Sequence, residues 1–168
     1  MNKFQSIAII SLLFLIFSVS SCQSPIPSLV GEYSYKISGQ VSIGSAANQK
    51  LNDEIGVLTI IHDSDSTYIL TFNALNDAVY YTTATCNGKE IVLENFQRTL
   101  SITYSEENNS FFDNNSAILY TNHFNVTISG SGSIYDQTII FTLQYAGKEL
   151  DSQQSIRGKD ITMIAKKN

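Results

Sequence analysis

Cysteine, basic residues and glycine-rich loops are scarce in this chain, and each scarcity excludes a class of protein. Two cysteines in 168 residues cannot build a disulfide framework or a zinc site with cysteine ligands. Ten basic residues against 15 acidic ones give a net charge of −5, which argues against binding to nucleic acid or to an anionic surface. No phosphate-binding loop, dinucleotide fingerprint or Gly-x-Ser-x-Gly turn occurs. We therefore expect a protein that is not an enzyme and carries no cofactor.

The first 21 residues have the pattern of a secretion signal. Lys3 supplies a positive charge, residues 7–17 are apolar apart from one serine, and three serines follow within the next four positions. The apolar core is about half the roughly 20 residues that a membrane-spanning helix needs, so it is too short to act as a permanent anchor.

The end of this signal carries a second feature. The residues Val19-Ser20-Ser21-Cys22 resemble the lipobox of bacterial lipoproteins. The resemblance implies cleavage before Cys22, a diacylglyceryl thioether on its sulfur and a third acyl chain on the new amine. Two or more acyl chains attach a protein stably to a membrane. The alternative is an ordinary signal peptide that is cut near Ser21 and leaves Cys22 free.

The residues after Cys22 indicate a tether and a location. Gln23 follows the cysteine in place of an aspartate, and by analogy with enteric lipoproteins this favours the outer membrane, with the periplasmic and cell-surface faces both open. Pro25 and Pro27 favour an extended spacer. We expect residues 22–30 to form the lipidated cysteine and its tether.

Removal of the 21-residue leader leaves 147 residues, which suffice for one domain with its own core. The leader contributes one charge, from Lys3, so this mature chain has 9 basic and 15 acidic residues and a net charge of −6. We expect a single domain over residues 31–168.

Alternation of apolar and polar residues dominates that domain and predicts strands. Tyr33, Tyr35 and Ile37 share one face of the first strand, and Asn87-Gly88 is typical of a tight hairpin turn. The predicted strands span residues 31–43, 55–62, 67–73, 78–86, 89–96, 98–105, 117–134, 138–145 and 160–166. Residues 44–54 read as a connection that could carry a helical turn, and residues 146–159 as a polar stretch. Gly130 and Gly132 fall on the apolar face, which suggests a bend or a close backbone approach.

About eight to ten consecutive short strands joined by turns favour an all-β fold. The prediction is an antiparallel up-and-down β-barrel, which removes exposed sheet edges, with a β-sandwich as the alternative.

The pattern also resembles a known family. Gly31-Glu32-Tyr33 looks like the Gly-x-Trp start of lipocalins, with tyrosine in place of tryptophan, and residues 124–145 look like the closing hairpin of calycin-like and lipocalin-like lipoproteins. The resemblance covers residues 29–166 and implies a calycin-like barrel, although the lipocalin Thr-Asp-Tyr motif is absent. Arg157 is the arginine that could pack on the first-strand aromatic ring.

Catalytic and metal-binding patterns are weak. His62 precedes Asp63-Ser64-Asp65, which could hold a metal but reads better as a hairpin turn, so no metal site is predicted. His123 is assigned to the surface. Glu90 and Glu94 lie about 13 Å apart along one strand, too far for a retaining glycosidase pair, and Cys86 reads as a packing residue.

Candidate binding residues are aromatic. Phe111 and Phe112 stand in the most polar stretch of the chain and either cap the core or contact an apolar ligand. Tyr80 and Tyr81 point to opposite faces of one strand, so one of them faces a cavity or the outside. Two hypotheses follow: a barrel that binds a small apolar or lipid ligand inside, or an envelope interaction or glycan-binding lipoprotein with a filled core.

Overall fold

A computed structural model describes residues 28–44, 48–75, 78–106 and 118–168, with residues 104–106 and 118–120 described by backbone only. The described residues form ten strands and no helix that is long and apolar enough to cross a membrane. The strands are β1 (Gly31–Ser38), β2 (Gln40–Ile43), β3 (Gln49–Lys50), β4 (Glu54–Ser64), β5 (Thr67–Ala74), β6 (Val79–Asn87), β7 (Glu90–Glu106), β8 (Ile118–Tyr135), β9 (Thr138–Glu149) and β10 (Ser155–Lys167).

Eight of these strands close into a barrel. Each strand from β4 to β10 pairs antiparallel with the next along the chain, and β1 pairs with both β4 and β10. The predicted all-β class and the up-and-down barrel are therefore confirmed. The sandwich alternative is wrong, because the β1–β10 pairing joins the two ends of the sheet and leaves a single closed layer.

The strands at one end of the barrel continue beyond the closed part. β2 follows β1 after Gly39 and pairs with the first residues of β10, while β3 pairs with β2. The hairpin of β7 and β8 extends in the same direction, because β7 pairs with β6 only over its first four residues but with β8 along its whole length. The fold is thus a closed barrel with a sheet that projects from one rim.

Four predicted boundaries were wrong. The strand predicted over residues 31–43 is two strands, β1 and β2, which Gly39 separates. The two strands predicted over residues 89–96 and 98–105 are one strand, β7, in which a bulge between Leu93 and Phe96 shifts the register without ending the pairing. The predicted polar stretch 146–159 contains the end of β9 and the start of β10. In the projecting sheet the end of β9 pairs with β8, and the start of β10 pairs with β2. The connection over residues 44–54 contains the short strand β3, and its described residues form no helical turn.

The core follows the predicted alternation. Inward side chains of β1, β4, β5, β8, β9 and β10 are almost fully buried, among them Leu58, Phe72, Phe141 and Met163. A Cβ atom at Gly132 would lie 2.8 Å from Cδ1 of Phe141. The absence of a side chain at Gly132 therefore lets β8 and β9 lie close together beside the large core side chains. This is the close backbone approach that its position on the apolar face predicted.

Candidate functional site

Inside the barrel, the start of β4 carries a buried carboxylate. Glu54 accepts hydrogen bonds from the two terminal guanidinium nitrogens of Arg98, with Nη1 to Oε1 at 3.1 Å and Nη2 to Oε2 at 2.6 Å. The hydroxyl groups of Tyr80 and Tyr35 also donate to Oε1, at 2.6 Å and 3.0 Å. Only 15% of the Glu54 side chain and 8% of the Arg98 side chain are exposed. We call these four residues the Glu54 cluster.

Aromatic rings surround this cluster on the side of the core. The Tyr80 ring lies parallel to those of Phe72 and Phe96, at centroid distances of 4.7 Å and 5.6 Å. Arg98 stacks on Tyr80, with its Cζ atom 4.1 Å from the ring centroid. A cation over an aromatic face is attracted by the ring quadrupole. The ring of Tyr80 therefore contacts Arg98, and its hydroxyl group donates a hydrogen bond to Glu54.

The ionisation states in the cluster follow from these contacts. Burial alone would raise the pKa of Glu54, but the hydrogen bonds and the charge of Arg98, with the two phenolic donors, lower it below its ordinary value. Burial raises the pKa of Tyr80 and that of nearby Tyr145. At neutral pH Glu54 is therefore an ionised carboxylate and the tyrosines are neutral hydrogen-bond donors. The buried negative charge of Glu54 is thus paired with Arg98 and hydrogen-bonded by the tyrosines.

The space left beside the cluster is small. The void between Tyr80, Phe96 and Tyr145 measures about 10 Å³, about the volume that one water molecule needs. Its other lining residues are apolar side chains of the core: Ile37, Phe72, Leu93, Ile128, Leu143 and Met163. In this part of the barrel, side chains occupy the interior that a ligand would need.

A larger depression lies on the outside of the sheet. It has a volume of about 590 Å³ and runs across β2, β10, β9, β8 and β7. Its side chains include amide and hydroxyl groups together with three charges, from Arg157, Lys159 and Asp160, and its lining is completed by Gln40, Ser42, Asn48, Asn95, Thr127, Ser129, Gln144, Tyr145, Ala146 and Gly158. We call this depression the outer groove.

Two backbone irregularities lie beside the groove. β10 has a register shift between Gly158 and Ile161, and β7 has one between Leu93 and Phe96, so a bulge lies near each side of the groove. Asp160, within the first bulge, has a φ of 56°, a left-handed conformation that aspartate tolerates better than most residues. Bulges bend strands and re-aim the side chains next to them.

Beyond the groove, the same face of the β7–β8 hairpin carries polar cross-strand pairs. Thr99 donates to Oδ1 of Asn125 at 3.1 Å, and Oγ of Ser101 lies 2.9 Å from Nδ1 of His123. The hydroxyl oxygens of Thr103 and Thr121 are also 2.9 Å apart. Because Asn125 and Thr127 are two residues apart on β8, this polar ladder continues the lining of the groove.

The structure separates the two tyrosines that the sequence placed on opposite faces. Tyr80 points inward and belongs to the Glu54 cluster, whereas Tyr81 is 75% exposed on the outer surface. Phe111, Phe112 and Cys22 lie outside the described residues. The sequence-predicted ligand-binding aromatics are thus not brought together within the described part of the chain.

The remaining candidates occupy ordinary structural positions. Nε2 of His62 lies 3.1 Å from the carbonyl oxygen of Asp65 in the β4–β5 hairpin, and His123 is exposed. Glu90 and Glu94 are both exposed, and Thr83 donates to Glu94. Over residues 28–44, 48–75, 78–106 and 118–168, no group of three or more His, Cys, Asp or Glu residues is placed to hold a metal ion.

The structure also tests two expectations about packing. Arg157 does not pack on Tyr33, because it projects from the outer face of β10; Lys167 does, with Nζ 5.7 Å from the ring centroid. Cys86 packs against the core as predicted, but it is only partly buried, because it lies at the hairpin end of β6, where its thiol donates to the carbonyl oxygen of Gly88 at 3.4 Å.

Sequence reasoning missed the Glu54 cluster, although a signal was present. Glu54 is in phase with the buried Leu58 and Ile60, and Arg98 is in phase with Leu100 and Ile102. A charged residue at an inward position needs a partner, and two such residues of opposite charge on different strands indicate a buried pair.

Comparisons with known proteins add little. No protein-family model and no curated protein match this sequence. Among solved structures, the chain is similar to a redesigned β-barrel at 9% sequence identity and a TM-score of 0.36, over 89% of this chain and 97% of that chain. The fold assignment therefore depends on the strand pairing described above.

Proposed function

We propose that this chain is a non-catalytic lipoprotein, anchored in the outer membrane through acylated Cys22, whose barrel is filled and whose outer surface binds an envelope partner. The lipobox-like residues 19–22 support the anchor, and Gln23 supports the outer membrane. The bound partner is an envelope component, such as a glycan or a protein.

The small size of the void beside the Glu54 cluster carries this proposal. Small-molecule sites are usually cavities of about 300–1,000 Å³ lined by apolar side chains, whereas the void beside the Glu54 cluster has about 10 Å³. An apolar ligand there would have to displace the stacked rings of Phe72, Tyr80 and Phe96 and break the bonds to Glu54. The outer groove, in contrast, needs no rearrangement to receive a ligand.

A titration with a fluorescent fatty acid tests the interior. The intact protein in mild detergent is expected to show no saturable binding. One-to-one saturable binding that persists in Tyr81→Ala would overturn the proposal, because that variant removes the exposed ring and leaves the interior unchanged.

Metabolic labelling with a clickable palmitate analogue tests the anchor. The wild-type protein and Cys86→Ala are expected to take up the label and to fractionate with the outer membrane, while Cys22→Ala loses both properties. Equal labelling of Cys22→Ala and wild type would show that the attachment is elsewhere.

A further inference from the structure

Two positive charges in the outer groove remain available to a ligand. Arg157 and Lys159 both line it and are exposed, and within the described part of the chain neither takes part in an ion pair. Asp160 is the groove's acidic residue, so the groove carries a local excess of one positive charge in a protein whose net charge is −5. A local excess of positive charge favours anionic groups at this place.

The other lining groups have a complementary chemistry. Asn95, Gln144 and Gln40 present amides, and Ser129 and Thr127 present hydroxyl groups. Amides and hydroxyls both donate and accept hydrogen bonds, as the hydroxyl groups of a sugar do. A guanidinium group can bind a carboxylate with two parallel hydrogen bonds.

The dimensions suit a chain rather than a single sugar. The groove crosses five neighbouring strands, which at a spacing of about 4.8 Å corresponds to a length of about 19 Å. Ala146 lies in the middle, opposite Arg157 on β10 and Thr127 on β8, and its short side chain leaves the depth of the groove open. The polar ladder on β7 and β8 extends this surface.

We propose that the outer groove binds a linear acidic oligosaccharide, with Arg157 and Lys159 pairing with its carboxylates and the amide and hydroxyl side chains binding its sugar hydroxyls. This rests on the proposed function, because it names the ligand class of the outer surface. A peptide ligand fits less well, since the groove lies on the face of a sheet rather than at a strand edge, where an extended peptide would pair with free backbone groups.

The test is isothermal titration calorimetry of the intact protein with a uronic acid hexasaccharide. A neutral hexasaccharide of the same linkage and a hexaglutamate peptide serve as comparison probes. We expect binding of the uronate to be strongest, with a weaker response to the neutral sugar and none to the peptide. Arg157→Gln with Lys159→Gln is expected to weaken uronate binding by about tenfold or more, the loss of at least one charge-assisted hydrogen bond.

Matched variants separate the groove from the rest of the surface. Lys166→Gln removes an exposed cation of β10 outside the groove, and it is expected to leave the affinity unchanged. Ala146→Trp fills the groove and is expected to abolish binding, whereas Thr142→Trp, an exposed position of the same strand outside the groove, has no effect.

Several outcomes would overturn the inference. They are a lack of uronate binding at millimolar concentration, preference for the peptide or the neutral sugar, or binding that Ala146→Trp leaves intact. Each of these leaves the filled interior and the anchor untouched, because the fatty acid titration and the palmitate labelling report on those separately.

Discussion

Glu54 and Arg98 occupy inward positions on their strands, and burial makes each depend on the other. The carboxylate receives four hydrogen bonds from three residues. A buried pair of this kind often contributes little to stability compared with an apolar pair of equal volume, but loss of one partner leaves an uncompensated charge.

Single substitutions in the pair are expected to be costly. Glu54→Gln or Arg98→Met should each lower the free energy of unfolding by about 3 kcal/mol, because the remaining charge stays buried without its partner. The double variant should lose less than the sum, with a coupling of about 1–3 kcal/mol. Urea denaturation of the four proteins measures this cycle, and strictly additive losses would contradict the buried pair.

The pKa of Glu54 also predicts an acid-sensitive component of stability. Because its pKa is lower in the folded protein than in the unfolded chain, its contribution is fully present above the unfolded value of about 4.3 and is lost as the pH falls through the folded value. The difference in unfolding free energy between wild type and Glu54→Gln should therefore shrink below about pH 4. A constant difference between pH 7 and pH 3 would argue against this role of the carboxylate.

At the level of strands, alternation in the sequence predicted which side chains face inward. Tyr33, Tyr35 and Ile37 are buried, as the alternation of apolar and polar residues predicted, and Gly132 lies where β8 comes close to β9. The bulge in β7 was not predictable, since residues 93–96 carry no glycine or proline that marks it. That bulge and the one in β10 flank the outer groove, whose polar residues read in the sequence as an ordinary solvated face.

A pair of glycine substitutions tests this view of the strands. Gly132→Ala should lower the free energy of unfolding by about 1–3 kcal/mol, because the new Cβ is forced against packed atoms. Gly88→Ala should cost about 1 kcal/mol, from its left-handed backbone alone, since its φ is 61° and nothing lies within 4 Å of the added atom. Urea denaturation compares the two, and a larger loss for Gly88→Ala would contradict the close packing of β8 on β9.

At the scale of the whole molecule, the sequence predicted a closed barrel but left open whether it was filled. Inward positions of a small barrel have the same apolar pattern in both cases. The distinction comes from side-chain size and pairing across strands far apart in sequence, such as Tyr80 on Phe96 and Arg98 on Glu54. These contacts occupy the space beside the cluster.

Mass spectrometry of the intact protein, purified from its own envelope in a mild detergent, tests the central claim most directly. The account predicts that the mass under native conditions equals the mass after denaturation, and that both exceed the mass of residues 22–168 by the covalent acyl groups on Cys22. An additional mass that is present in the native protein and leaves on denaturation, with the properties of an apolar molecule, would contradict the filled barrel.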